Sequence, residues 1–425
     1  MPGWRPIIEG AAARQIHDLL RVIADELAQA GPGSDGFDAC LGAGSAGIAV
    51  FFAYLERAGL APGAAEQSER FLAAAEEAIG TCDLGASLMG GFAGIAWATE
   101  HVRGPAPPGE EDPLEEIDAA LHALLADEPA WAGRGFMHDV VGLGQYALER
   151  LPRASARLLL EQVVRRLAEC AERGPAGPTW FTRPEQLAPE FRTACPRGNY
   201  NLGLAHGVPS VIALLASACA RGVAVNVARP LLEGAASWLQ AQRLPPGGDS
   251  AFPFWIAPGS PPVPARSAWC YGDLGVAAAL LHAARALGGT AVEEQAVAVA
   301  RLAARRDPAR TGVSDAGLCH GAAGLAHMFL RLHRATELPE LHDAARSWLT
   351  RTLEMRQPGR PVGGFPSYDP ERASLRAQRS SDRGPWVAEP GLLAGAAGVG
   401  LALLSAVSDI EPAWDRVLLV DVAPR

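Results

Sequence analysis

Apolar side chains recur at helical spacing, with charges on the opposite face, in seven segments of the chain: 16–27, 69–79, 114–125, 154–167, 228–239, 292–304 and 341–353. A stripe of that kind predicts a helix with one wet side and one packed side. A second pattern recurs between these segments. Two small residues three apart open an Ala/Leu-rich run at Gly44 and Gly47, Gly91 and Gly94, Asp139 and Gly142, Gly207 and Ser210, Gly272 and Gly275, Gly321 and Gly324, and Gly395 and Gly398, the third pair being the least regular. A helix that is apolar all round has to be covered on every side, so these runs predict an inner ring and the striped segments an outer one. Self-similarity at intervals of tens of residues marks a repeat architecture. Seven alternating pairs that bury every inner face close most naturally into an all-α fold, an α/α toroid of about fourteen helices that forms one domain over residues 1–425.

Connector length sharpens the picture. Short connectors such as 288–291 lead from an inner run to the next striped segment, whereas the long ones, 174–206, 243–270 and 357–394, lead from a striped segment into an inner run. All the long loops are therefore expected on one rim, the one where the inner helices begin. Loops on a rigid scaffold carry function disproportionately, and a bowl capped by such loops suits a long, flexible substrate.

Composition narrows the class of protein. With 49% hydrophobic and 20% charged residues, the chain reads as globular and packed. Its formal net charge of −10, without a basic run, argues against nucleic acid or an anionic membrane surface as the main partner. Seven cysteines, an odd number at irregular spacings, and Glu9, Arg14 and Asp18 where a signal peptide would have an apolar core predict a reducing cytoplasm. The uncharged stretch 391–408 approaches a membrane span in length, but its Gly and Ala content predicts a buried helix and no integral membrane segment.

Candidate chemistry gathers at two inner-helix starts. Trp269-Cys270-Tyr271-Gly272 and Cys319-His320-Gly321 place two thiols and one imidazole just before glycines. Cys270, Cys319 and His320 form a three-ligand set with the fourth tetrahedral position open, a pattern typical of catalytic zinc sites, and one Zn2+ per chain is expected. The competing reading takes both cysteines as small core residues. His17, His101, His122, His282, His333 and His342 lie in helical segments and are assigned no role.

The run Asn201-Leu202-Gly203-Leu204-Ala205-His206-Gly207, then Arg266 with Trp269-Cys270-Tyr271-Gly272, then Cys319-His320-Gly321 with Gly324, then Gly391-Leu392-Leu393 with Gly395 and Gly398, resembles the lanthipeptide cyclase (LanC-like) family. The resemblance extends from near Gly44 to the segment 414–420. It implies a toroid of fourteen helices holding one zinc, and Michael addition of peptide cysteines onto dehydroalanine or dehydrobutyrine to close thioether rings. Implied partners are a dehydrated precursor peptide with leader and core, a lanthipeptide dehydratase and an exporter, with the enzyme cytoplasmic and peripheral to the membrane in such a complex. By the family's pattern His206 is the acid/base residue, Arg266 supports the site and Tyr271 lines it. The chemistry is coherent with this: the enolate left by sulfur attack needs a proton at Cα, and the positive end of an inner helix favours a neutral, transfer-ready His206.

The sequence departs from the family in its third repeat. The expected aspartate lies about four residues before the small pair, and Gly135 stands there; a short deletion would instead bring Asp139 into register. Asp139 is thus either a partner for His206, with His138 a minor candidate in its place, or an N-cap for the helix. A zinc-dependent thiol alkyltransferase of the prenyltransferase kind would expect an aspartate ligand, which the Cys319-His320 adjacency disfavours. A glycosidase-like toroid would need paired carboxylates at the helix starts. A non-catalytic family member that binds glutathione or a peptide through the same zinc, as a scaffold or regulator, remains open at this point.

Overall fold

The computed structural model describes residues 3–33, 39–107, 109–126, 140–187, 189–369 and 384–424. Among them, fourteen helices of nine residues or more follow one another as α1 (Gly10–Ala30), α2 (Ser45–Arg57), α3 (Ala64–Thr81), α4 (Phe92–Arg103), α5 (Glu115–Ala126), α6 (Gly142–Arg150), α7 (Ala154–Glu169), α8 (Val208–Ala220), α9 (Val225–Gln240), α10 (Asp273–Leu287), α11 (Thr290–Arg305), α12 (Ala322–Thr336), α13 (Pro339–Glu354) and α14 (Ala396–Val407). The odd-numbered helices are the striped segments. α1 buries Ala13, Ile16, Leu19, Leu20, Ile23, Ala24 and Leu27, one face of the helix. The even-numbered helices are the small-residue runs, and α2 is buried at every position from Ser45 to Leu55.

Contacts between neighbours close the ring. Inner helices touch in the order α2, α4, α6, α8, α10, α12, α14, and α14 returns to α2. Most outer helices pack on the inner helix that precedes them, while α1, which has none, packs on α14. The segment Ala413–Leu418 then crosses the ring, with its Leu418 carbonyl accepting from the Trp269 indole at 2.8 Å. The fold is thus the expected α/α toroid. Beyond it, the long rim loops contain a short helix, Pro189–Ala194, and three two-stranded antiparallel ladders. Among the described residues, no helix is long and apolar enough to cross a membrane.

Each inner helix whose entry loop is described is entered through the same seven-residue turn, as in Leu88 to Gly94, Leu318 to Gly324 and Leu392 to Gly398. Where the last residue is glycine there is no room for a side chain, since a Cβ would lie 1.7 Å from the Leu88 carbonyl at Gly94 and 1.8 Å from the Leu318 carbonyl at Gly324, whereas the turn into α8 ends on Ser210. The second residue of these turns links one repeat to the next through the backbone. Ala205 N–H donates to Cys270 O, Cys270 to Cys319 O, Cys319 to Leu393 O, Leu393 to Gly42 O, and Gly42 to Met89 O, at 3.4, 3.3, 2.6, 2.8 and 2.8 Å. These five bonds form a belt at the rim, and both sulfurs of interest sit on it.

The inner helices are less uniformly apolar than the sequence suggests. Arg150 on α6, 1% exposed, is paired with Glu100, Asp112 and Asp118 at 2.7 to 2.8 Å. On α12, Arg331 donates to Asp415 at 2.8 Å, and His327 meets the same carboxylate at 2.6 Å. Burial alone would raise the Asp415 carboxyl, but the Arg331 charge and the His327 hydrogen bond outweigh it and hold it below the usual range. Asp415→Ala would leave the buried Arg331 with only the exposed Glu411 carboxylate and the Pro412 carbonyl as partners, and the expected loss is about 3 kcal/mol of stability. Denaturant unfolding checks this, and an unchanged midpoint would show that the cluster does not anchor the closing segment.

Candidate metal centre

The three predicted ligands come together although they lie on two different repeats. The Cys270 and Cys319 sulfurs and a ring nitrogen of His320 lie within 4.8 Å of one another. Cys270 and Cys319 hold equivalent places in consecutive turns, and the belt bond from Cys270 N–H to Cys319 O brings those turns side by side. His320 follows Cys319 directly, on the turn that opens α12. Cys270 is buried; Cys319 and His320 are half-buried. Among the described residues, no fourth Cys, His, Asp or Glu joins the group.

The site's charges favour thiolate. Arg266 donates from Nη2 to the Cys270 sulfur at 3.3 Å. Just after Cys270 the chain folds tightly back on Arg266 at Gly272, whose φ of +131° suits glycine and where a Cβ would lie 2.3 Å from the Arg266 carbonyl oxygen. The Cys319 hydrogen bond draws the Cys270 thiol well below its usual range against the cost of burial, with His320, Arg266 and His206 helping. That same bond, together with burial, pushes the Cys319 thiol well up. The pair therefore gives up its first proton readily and its second reluctantly. A divalent cation held by the two sulfurs would remove that reluctance by taking the place of the proton between them and balancing their charge. Two sulfurs and an imidazole are also the donor set that zinc accepts in a tetrahedral site, so these residues fit the metal.

His206, Arg266 and Tyr271 surround this group. His206 precedes Gly207, the N-cap of α8, and occupies in its own turn the place that His320 holds in the next but one. The His206 and Tyr271 rings are 5.3 Å apart. Tyr271 is buried, and burial pushes its hydroxyl up to about 12. Asp139 and His138 lie outside the described residues.

Other contributors were not singled out from sequence. Phe254 and Trp255 pack edge-on to Tyr271 at 5.5 and 6.3 Å, brought there by the ladder that pairs Tyr200–Asn201 with Trp255–Ile256. The buried Asp273 carboxylate accepts from the backbones of Ala251 and Phe252 and from the Ser250 hydroxyl, tying the 243–270 loop to the start of α10; burial raises it to about 6. Asp315 accepts from Gly317 N–H and from Tyr368 N–H at 2.9 and 3.0 Å, holding the third long loop to the same rim. A cavity of about 420 Å3 lies away from this centre, among the C-terminal ends of α6, α8 and α10, and it includes none of the candidate ligands.

The structure is similar to that of nisin cyclase, with a TM-score of 0.74 at 17% sequence identity over 96% of this chain and 98% of that one. Likeness at that identity establishes a shared toroid. A sugar epimerase from a ruminal bacterium gives a TM-score of 0.48 (12% identity, 93% of this chain, 98% of that one), and cellobiose 2-epimerase from Bacillus thermoamylovorans B4167 gives 0.46 (8% identity, 94% and 99%), too low to carry an argument. No curated protein matches the chain. The family model described as lanthionine synthetase C-like protein matches residues 37–419. With that match covering both ligand-bearing turns and most of the ring, the chain belongs to the lanthionine synthetase C-like family.

Proposed function

We propose that this protein is a zinc-dependent lanthipeptide cyclase, adding cysteine thiolates of a dehydrated precursor peptide to dehydroalanine or dehydrobutyrine within the same peptide. The observation that carries this reading is the three-donor group of Cys270, Cys319 and His320, set on the loop-covered rim beside Arg266 and His206. Zinc held by the three donors would supply the Lewis acidity that makes a peptide cysteine a thiolate near neutral pH while leaving it nucleophilic.

The chain's own residues do the rest. Arg266 keeps a positive charge on the Cys270 sulfur, balancing negative charge in a buried place. When a substrate sulfur bonds to the β-carbon, the electron pair of the C=C bond moves toward the neighbouring carbonyl oxygen. His206 is assigned to deliver the proton that the α-carbon then takes. Tyr271, Phe254 and Trp255 form an apolar wall that limits water near the reacting atoms. Asp139 is assigned to assist His206 on the reading that a short deletion in the third repeat brings it into register.

The product is an isomer of the substrate, which gives a direct test. Incubating the zinc-loaded protein with a dehydrated, cysteine-containing peptide is expected to remove free thiol, read by alkylation, with no change in peptide mass before alkylation. A peptide that is bound but keeps its thiol throughout would favour a scaffold or regulator over a cyclase.

A further inference from the structure

Asn201 lies 70 positions before Tyr271 in the sequence and donates a hydrogen bond to its hydroxyl. The direction of that bond is fixed by a second one. The Asn201 side-chain oxygen sits 2.9 Å from the Gly203 backbone N–H. A backbone N–H can only donate, so the atom facing it has to be the amide oxygen, which removes the usual ambiguity between the two ends of an asparagine side chain. The amide nitrogen then faces the Tyr271 oxygen at 2.9 Å, and an amide nitrogen donates but does not accept. Tyr271 is therefore the acceptor, and its own O–H hydrogen is left unspent.

Packing keeps the pair in this arrangement. Asn201 and Tyr271 are 7% and 6% exposed. Asn201 is held in register opposite Trp255. The Tyr271 ring is flanked by His206, Phe254 and Trp255, and it lies against Gly203, where a Cβ would come within 2.9 Å of two ring carbons. With the ring so confined, the hydroxyl cannot swing to another partner without disturbing four neighbours. Its hydrogen is directed away from Asn201, and among the rings flanking Tyr271 is that of His206, with the centroids 5.3 Å apart.

We propose that Asn201 is a positioning residue that reserves the Tyr271 hydrogen for the substrate carbonyl. This rests on the cyclase reading. In the addition step the S–C bond forms at the β-carbon and the C=C pair shifts to give an enolate. The α-carbon then gains a proton. Tyr271 keeps its own proton throughout and offers it as a hydrogen bond to the enolate oxygen, where charge gathers only as the reaction proceeds. A donor already aimed at that point stabilises the transition state more than the ground state.

Asn201→Asp isolates the effect. The aspartate still accepts from Gly203 N–H, but its other oxygen faces Tyr271 and takes the hydroxyl hydrogen for itself. Zinc content and thermal midpoint are expected to stay at the wild-type level while kcat falls about 10²-fold with little change in KM, the range seen when one oriented oxyanion donor is lost. Tyr271→Phe alone should give a similar loss. Adding Asn201→Asp to Tyr271→Phe should cost less than about 2-fold more, because the two residues act through one hydrogen. Equal losses from Asn201→Asp in both backgrounds would overturn the proposal, as would a Tyr271→Phe protein that cyclises at the wild-type rate. A wild-type protein that leaves the peptide thiol free would remove the cyclase reading itself, and that result is visible in the same assay before any variant is compared.

Discussion

Cys270→Ala, Cys319→Ala and His320→Ala are each expected to leave a folded toroid that retains no zinc and closes no rings. The group has only three protein donors among the described residues, so removing one leaves two, too few for a stable tetrahedral site in competition with water. Elemental analysis of the purified wild-type protein should give about one zinc per chain and of each variant close to none. Folding should survive, because Cys270 and Cys319 are two small side chains at the margin of a core that runs through all the inner and outer helices. Circular dichroism and thermal unfolding check that half of the expectation. Wild-type zinc content in any of the three variants would remove the ligand assignment, and with it the proposed reaction.

His206→Ala is expected to do the opposite to the metal and the same to the product. If the imidazole serves the α-carbon rather than the zinc, the variant should keep about one zinc per chain yet lose roughly 10²–10⁴-fold in ring closure, the usual worth of one positioned acid or base. The contrast with the ligand variants is what makes the pair informative. A His206→Ala protein that cyclises at the wild-type rate would sink the proton-transfer role. One that comes off the column without metal would mean that His206 supports the ligands instead.

Much of this was legible in the chain because it is written in local patterns. The stripe at 16–27 grew only at its ends, to Gly10–Ala30, and the run that follows Gly395 is the buried helix Ala396–Val407. Cys270, Cys319 and His320 could be picked out because each stands one or two residues before a glycine that opens an inner helix. What sequence could not supply were pairings between distant positions whose residue types are ordinary. Asn201 and Tyr271 are 70 residues apart, and Arg331 and Asp415 are 84 apart. An arginine or histidine inside an Ala/Leu-rich run carries no mark of the carboxylate it will meet. The three ladders have strands of two or three residues, too short to show an alternating pattern. Asp139 stands where the repeat is least regular, and it lies outside the described residues.

The belt of backbone bonds at the rim also bears on how the metal site withstands change. The Cys270 and Cys319 turns are linked by main-chain atoms, Cys270 N–H to Cys319 O at 3.3 Å, and each turn is tied onward in the same way to Ala205 and Leu393. The bite between the two sulfurs is therefore inherited from the circumference of the ring and the number of repeats that divide it, with core side chains contributing only indirectly. Residues inside the helices can drift in size and shape, and the ring can gain or lose stability, while the chelate keeps its span. Conversely, inserting a single residue into either turn would move one sulfur off its link and alter the bite at once, even if every ligand were retained. In this toroid, the span between the two sulfurs is a property of the closed loop of repeats, and the turn is its unit of inheritance.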